Sequence, residues 1–295
     1  MISELTKVPL GWEKVKFGDI AKNITARIDN PKESGLEDYI GLEHLDTDEI
    51  RIKRYGSPGE VEATKFLCKK GDIVFGKRRA YLRKLAVASR DAVVSAHSMV
   101  LRPKEEKVLT EFLPWFLQSS QFWKTAFAIS EGSLSPTIKW KTLSVQEFWL
   151  PSRGEQKKIA EILWSIESNV EKLEVLIKVA QKLKKGLLEE LLRKGISHKK
   201  FKKTELGEIP VDWQIVSLGE ICEERKDKAY PPYERQKYVS LEQMDSDNLI
   251  QCIFAKSQSV QSVTNSFHAG DLLYGKLRPN LDKAAFGQLR WNMQY

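Results

Sequence analysis

Cysteine is scarce and unpatterned. The 295 residues hold three, Cys68, Cys222 and Cys252, and none stands in a Cys-x-x-Cys spacing. That argues against a disulfide framework and a cysteine-based zinc site, and for a reducing compartment. Histidine is also sparse. His44, His97, His198 and His268 lie far apart, none with Cys or carboxylates at ligand spacing. His97 follows an apolar run and reads as a satisfied polar residue rather than a catalyst. No apolar run approaches the roughly 18 residues of a membrane span. Met1–Leu10 lacks a basic stretch followed by an apolar one, so no secretory signal is expected and the protein reads as cytoplasmic.

Catalytic signatures are missing as well. Gly71-x-x-x-x-Gly76-Lys77 matches the start of a phosphate-binding loop, but Arg78 stands where Ser or Thr should hold Mg²⁺. Ile73, Val74 and Phe75 between the glycines suit a buried strand, which excludes a nucleotide-hydrolase reading. Tyr230-Pro231-Pro232-Tyr233 has Tyr230 where an adenine methyltransferase needs Asp or Asn, and no glycine-rich turn precedes it. It reads as a proline-rich turn. Acids are plentiful, yet none forms a compelling pair.

Positive charge is present in excess. The net charge is +8 and the pI about 9.2, a balance that favours a polyanionic partner. Between Val175 and Lys203 ten Lys/Arg face only Glu189 and Glu190. The same run also fits a solvated helix end and a soluble linker.

Glu155–Leu192 contains no proline and carries the clearest periodicity. Ile159, Ile166, Leu173, Ala180 and Leu187 recur every seven residues, beside Leu163, Val170, Ile177 and Leu191 with Lys184 interrupting. This seam predicts a long coiled-coil-type helix of roughly 57 Å. Ser152 and Glu155 form a capping-box signature, and Lys194-Gly195 reads as the stop.

The chain then starts again. Pro9–Ile20 answers to Pro210–Ile221, Tyr39–Leu45 to Tyr238–Met244, and Gly71–Lys84 to Gly270–Lys283, at offsets of 201, 199 and 199 residues. These are two copies of one domain joined by a rod, with a period too long for a solenoid. The second copy has no counterpart of His97–Leu150 and is expected to be unstable or loosely ordered alone. The expected organisation is a first domain over 1–151, the helix over 152–195, a linker over 196–209 and an incomplete second domain over 210–295.

The first domain reads as α+β with a mixed sheet. Strands are expected at Asp38–Gly41, Asp72–Phe75, Ala86–Ser89 and Ser98–Leu101. A helix capped by Thr110 is expected over Glu111–Lys124, and Glu131–Trp149 reads as loop. Gly76–Lys84 gathers Lys77, Arg78, Arg79, Arg83 and Lys84 around Tyr81; its counterpart has Lys276, Arg278 and Lys283 against Asp282. Such a segment fits a solvated hairpin, or a surface that meets phosphates and guanine edges. The recurring Gly-Lys brings the second reading in on equal terms. Lys139 and Trp140 are further candidates in an expected loop.

Taken in order, Pro9–Ile20, Gly71–Lys84, Leu150-Pro151 followed by Glu155-Gln156-Lys157-Lys158-Ile159-Ala160-Glu161-Ile162-Leu163, and Leu206-Gly207-Glu208-Ile209-Pro210-x-x-Trp213 resemble the specificity subunit of type I restriction–modification enzymes. The resemblance covers nearly the whole chain. It implies target recognition domains that each read half of a bipartite double-stranded DNA site, and antiparallel helices that hold them apart. It also implies docking to methyltransferase (M) and restriction (R) subunits, with no catalysis in this chain. The partners would bring S-adenosylmethionine, ATP and Mg²⁺. A roughly 34–36 Å turn of DNA is within the span of such a rod. The departure is the missing second half, including a second helix. Two chains pairing through the seam would restore the architecture and read a symmetric site. A truncated, non-functional product and a dimeric protein-binding scaffold are the alternatives, and the poor fit of Gly287–Tyr295 favours truncation.

Overall fold

The computed structural model describes residues 9, 11–233, 237–244, 255–281 and 283–286. Met1–Val8, Cys252, Asp282 and Gly287–Tyr295, on which some of the expectations above rest, lie outside the described residues. The chain divides into two units, 1–188 and 189–295.

The first unit is built of short strands and helices: β1 (Glu13–Lys16), α1 (Phe17–Ile20), β2 (Ala21–Ile24), β3 (Arg27–Ile28), β4 (Tyr39–Ile40), β5 (Lys65–Cys68), β6 (Ile73–Gly76), β7 (Leu85–Val87), β8 (Ala92–Val94), β9 (Ser98–Pro103), α2 (Leu113–Gln118), α3 (Ser120–Ala128), α4 (Trp140–Ser144), β10 (Glu147–Leu150) and α5 (Arg153–Lys194). One sheet runs β2-β9-β6-β7 and is antiparallel throughout. The second runs β3-β5-β8-β4, with β4 parallel to β8, so the sheets are mixed as expected.

The alternation of strand side chains explains the layering. Ile73 and Phe75 of β6, Leu85 of β7, and Met99 and Leu101 of β9 join one buried cluster with α2, α3 and β10. Val74, Ala86 and Val100, the residues between them, join a second cluster with Ile40, Cys68, Ala92 and Val94 of the other sheet. The first sheet is therefore covered on both faces, and β6 is buried along its whole length. On the helical side Phe75 stacks on Trp123 at 5.7 Å and meets Phe122 edge-on at 5.8 Å. Burying such a ring stabilises by about 1.5–3 kcal/mol. Cys68 is buried and its thiol is pushed up to about 12 by burial, which leaves it inert, while Cys222 is free and exposed.

Two expectations for this unit fail. No single helix spans Glu111–Lys124: the backbone is extended at Ser119, between α2 and α3. Ser119 Oγ, not Thr110, caps the second helix by accepting from the Phe122 amide at 3.2 Å. Thr110 Oγ1 turns instead to Glu105 Oε1 at 3.0 Å. The stretch expected as loop over Glu131–Trp149 contains α4 and β10. β10 pairs antiparallel with β1, closing the unit on its own start.

α5 is longer than the periodicity suggested, with 42 residues, or about 63 Å. Ser152 precedes it and its Oγ accepts from the Glu155 amide at 3.4 Å. Gly195, left-handed at φ +67°, ends it by donating to the Leu191 carbonyl at 2.9 Å. Its first turns belong to the first unit's core. Gln156 is buried and bonded to Leu109, Lys107 and Pro151 backbone at 2.9, 3.2 and 2.9 Å. Trp12 Nε1 donates to Glu155 Oε2 at 3.0 Å and Trp164 Nε1 to the Glu111 carbonyl at 2.9 Å. Further along, Arg51 reaches Glu167, Glu171 and Glu174 at 2.5, 3.7 and 3.3 Å.

The second unit contains a hairpin of β11 (Phe201–Thr204) and β12 (Gly207–Pro210), inside the expected linker, then α6 (Leu218–Ile221). β13 (Lys228–Ala229) pairs with β16 (Thr264–Asn265), β14 (Lys237–Tyr238) with β15 (Ala255–Lys256), and β17 (Leu272–Tyr274) with β18 (Ala284–Phe286). Internal repetition is visible in detail. α6 answers to α1, and β17–β18 to β6–β7. The Gly76 amide donates to the Lys84 carbonyl at 2.8 Å, and Gly275 to Lys283 at 2.9 Å. Leu272 and Tyr274 are 56% and 55% exposed, whereas Ile73 and Phe75 are fully buried.

The turn before β6 holds a buried charge. Asp72, 2% exposed, takes a bidentate pair from Arg102 at 2.6 and 2.7 Å and the Lys69 amide at 2.8 Å. The counterpart Asp271 is held by Arg225 at 2.7 and 3.3 Å and by the His268 amide at 2.7 Å. Removing one partner of a buried pair strands the other's charge. Arg102→Met is accordingly expected to lower stability by about 3–5 kcal/mol, measured by urea unfolding of the full chain. An unchanged midpoint would show that Asp72 does not depend on Arg102.

Candidate nucleic-acid interface

The segment that carries the basic residues is a closed loop between β6 and β7. The Gly76–Lys84 backbone bond shuts it, and a 3₁₀ turn at Ala80–Leu82 fills it. Gly76 eases the closure, since a Cβ there would lie 3.0 Å from Leu42 Cδ2 and 3.1 Å from the Lys84 carbonyl and would press both back by a few tenths of an ångström. The same holds at Gly275, where the distances are 2.5 Å to Leu241 Cδ2 and 3.3 Å to the Lys283 carbonyl. The recurrence of Gly-Lys is thus explained by packing and does not by itself indicate a ligand. The loop is also stitched to the 131–138 segment: the Ile138 amide donates to Lys77 O at 2.9 Å and the Ala80 amide to Pro136 O at 3.3 Å.

Within the loop the cations divide into two groups. Lys84 Nζ donates to the Leu42 carbonyl at 2.7 Å, and Lys283 Nζ to Leu241 at 2.6 Å. Arg83 pairs with Asp48 at 2.9 Å and lies 5.8 Å from the Trp123 ring. These two hold the loop to the body. Lys77, Arg78 and Arg79 have no carboxylate partner among the described residues. Arg78 and Arg79 are exposed, as is Tyr81 at 56%. Arg79 is held left-handed at φ 56°, and Arg278 at its equivalent position has φ 54°. Elsewhere in the unit Arg51, Arg54, Arg90 and Arg102 all sit on carboxylates.

The other sequence candidates fare differently. Lys139 is tied to Glu131 at 2.5 Å, and Lys276 to Glu224 at 2.5 Å. Trp140 starts α4, packs against the core and meets Phe17 at 5.9 Å, so it is a structural residue and not a loop aromatic. Of the helix-pairing residues, Ile159 packs against the first unit's core and Leu163 is half-buried. Ile166, Val170, Leu173, Ile177, Ala180, Leu187 and Leu191 are exposed.

Sequence reasoning missed three groups beside the loop. Arg27 and Lys77 both lie 5.6 Å from the Phe66 ring, to which β3 brings Arg27. His97, exposed in the turn before β9, lies 3.5 Å from Arg78 Nη1. Burial, with Arg27's like charge, holds the Lys77 ammonium below the ordinary lysine range. Their distance in sequence, about fifty residues from Arg27 to Lys77, hid the cluster. Among the described residues no group of three or more His, Cys, Asp or Glu could hold a metal ion. No helix there is long and apolar enough to cross a membrane.

A family model, the type I restriction modification DNA specificity domain, matches residues 9–191. The chain belongs to this family. It is similar to the putative type I restriction enzyme MjaX specificity subunit of Methanocaldococcus jannaschii, 30% identical over 236 residues, covering 74% of this chain and 54% of that protein. It is also similar to the MjaVIII specificity subunit of the same organism, 28% identical over 232 residues, covering 76% and 52%. The chain spans about half the length of these curated relatives. A chain from a structure on complex assembly and conformational transition of the type I R-M system shares the fold, with TM-score 0.52 and 19% identity, covering 95% of this chain and 72% of that one.

The division of cations generates a test. Arg78→Ala and Arg79→Ala are each expected to weaken duplex DNA binding and to reduce the slope of log K against log salt by about 0.9 per lost phosphate contact. Arg83→Ala is expected to lower thermal stability and leave that slope unchanged. Fluorescence anisotropy across a salt series reads the slopes; equal flattening by all three variants would refute the division.

Proposed function

We propose that this chain is a DNA sequence-recognition subunit of a type I restriction–modification system, with no catalysis of its own. The observation that carries the reading is the cation cluster Arg27, Lys77, Arg78 and Arg79. Arg27 on β3 and the other three on the loop after β6 have no carboxylate partner among the described residues, in a unit whose other arginines mostly sit on carboxylates. An unpaired cation group on ordered strands and a closed loop suits phosphate contact, and an exposed arginine can also read guanine edges. Membership in a DNA specificity family supports the same reading. The target is a bipartite double-stranded site, with target recognition carried by the first unit.

α5 supplies the spacer and the protein contacts. Its apolar seam from Ile166 to Leu191 is exposed, as the pairing face of a helix would be. Methyltransferase subunits dock along it, restriction subunits join through them, and these partners bring S-adenosylmethionine, ATP and Mg²⁺. Pairing of two chains through the seam would present two first units and give a symmetric site.

Binding selection from a random-sequence duplex pool, with the full chain alone and with co-expressed methyltransferase subunits, tests this function. The expected outcome is enrichment of one bipartite motif. Salt-dependent binding without enrichment would reduce the chain to a non-specific binder. Absence of DNA binding with the methyltransferase subunits present would favour a protein-binding scaffold.

A further inference from the structure

The charged groups that act on His97 come from three other places in the first unit. Arg78 and Lys77 belong to the loop after β6, Lys65 to β5, Glu43 to the turn at Leu42–His44, and His97 to the turn between β8 and β9. Arg78 Nη1 stands 3.5 Å from His97 Nε2. Arg78 is the cation in contact with this imidazole, while the charges of Lys77, Lys65 and Glu43 act on it from further off. Lys65 is turned to the backbone carbonyls of Glu62 and Ala63, and among the described residues no acid pairs with Lys77 or Arg78. Both His97 and Arg78 are exposed, so an anion can reach them. Partial desolvation of the ring beside the loop first, then the charges of Arg78, Lys77 and Lys65, hold His97 below the ordinary histidine range although the residue is largely open to solvent.

Resting on the DNA-recognition reading, we propose that Lys77, Arg78 and His97 form a seat for one backbone phosphate, and that His97 becomes protonated when the phosphate binds. The proton comes from bulk solvent and completes the imidazolium. In the free protein the neighbouring cations oppose that charge. A bound phosphate reverses the local field and favours it, as an anion raises the proton affinity of a nearby base. Binding then takes up a proton, so affinity rises as pH falls through the histidine range, with a slope of at most about one decade per pH unit for one proton. DNA recognition at this site is therefore pH-tuned by a residue outside the basic loop.

The test measures affinity of the full chain for a mixed-sequence duplex between about pH 7.5 and pH 5.5, at fixed ionic strength. Wild type is expected to bind about fivefold tighter at the acid end. His97→Gln, which cannot gain the charge, is expected to lose most of that rise. His97→Arg, which carries it at every pH, is expected to bind tighter than wild type at the alkaline end and to show little pH dependence. Because His97 is exposed, neither variant is expected to change the unfolding midpoint. A wild-type pH profile retained by His97→Gln would overturn the phosphate seat and leave the DNA-recognition reading intact, as would His97→Arg binding no tighter than His97→Gln. Failure of wild type to bind duplex in a salt-dependent way at any pH would instead overturn the reading on which the inference rests.

Discussion

The backbone contact between Gly76 and Lys84 governs what the rest of the first unit can present. β6 is buried on both faces, so its end is fixed, and the chain must return to β7 in eight residues. A residue without a Cβ lets the Lys84 carbonyl approach unhindered, and the loop shuts on that bond. Closure has a backbone cost: Arg79 and Arg83 on either side of the 3₁₀ turn are both left-handed, at φ 56° and 49°. Each such residue costs roughly 1–2 kcal/mol. The strain is held by Lys84 on the Leu42 carbonyl and by Arg83 between Asp48 and Trp123. A closed, anchored loop keeps its outward arginines in place before any ligand arrives, which limits the ordering entropy lost on binding.

The same logic of anchoring one part to free another applies to α5. A lone helix of this length with an apolar seam has little reason to hold a direction relative to its domain. Here Gln156, Trp12 with Glu155, and Trp164 with Trp115 fix its first turns, and the Arg51 cluster extends the hold to Glu174. Arg51 and Glu167 are only 20% and 17% exposed, so their attraction is less screened than that of a surface pair. The acids that meet Arg51 and Lys53 occupy one side of the helix. The seam residues from Ile166 onward stay exposed on another, available to a partner helix.

Periodicity and repetition were the parts of this structure legible in sequence. Seven-residue spacing found α5, short runs bounded by glycine or charge found β6 and β9, and the collinear blocks found the second copy. Three misses share a cause, which is that the deciding interaction is distant. Ser119 is a residue type that can cap a helix, but that α2 stops there goes with the packing of Phe122 and Trp123 of α3 on Phe75 of a distant strand. Nothing in Glu147–Leu150 announces a strand whose partner is Glu13–Lys16. Within the candidate site, the stretch Gly76–Lys84 was visible as charge, but charge cannot tell Arg83, which is paired, from Arg78, which is not. Arg27 and His97 enter the site only through strand pairing and a turn.

Comparison of the two copies separates scaffold from surface. Gly76 and Gly275, Leu42 and Leu241, Lys84 and Lys283, and Asp72 and Asp271 repeat with their contacts, down to the left-handed turn at Arg79 and Arg278. These residues build the loop. Of the outward positions only Arg79 keeps both its type and its exposure, as Arg278, whereas Arg78 is matched by Leu277, Tyr81 by Asn280, and Lys77 by a Lys276 that is tied to Glu224. Even the carboxylate in the turn before the first strand of this hairpin is held by arginines from different places, Asp72 by Arg102 in one unit and Asp271 by Arg225 in the other. A loop whose backbone is fixed by a few buried contacts leaves its exposed side chains free to differ without loss of fold. Two units built this way would present different chemistry to DNA from the same frame, whereas two copies of the first unit would present identical chemistry. Under the proposed function, the asymmetry or symmetry of a recognised site would follow from which units meet the DNA, and not from any change in the fold itself.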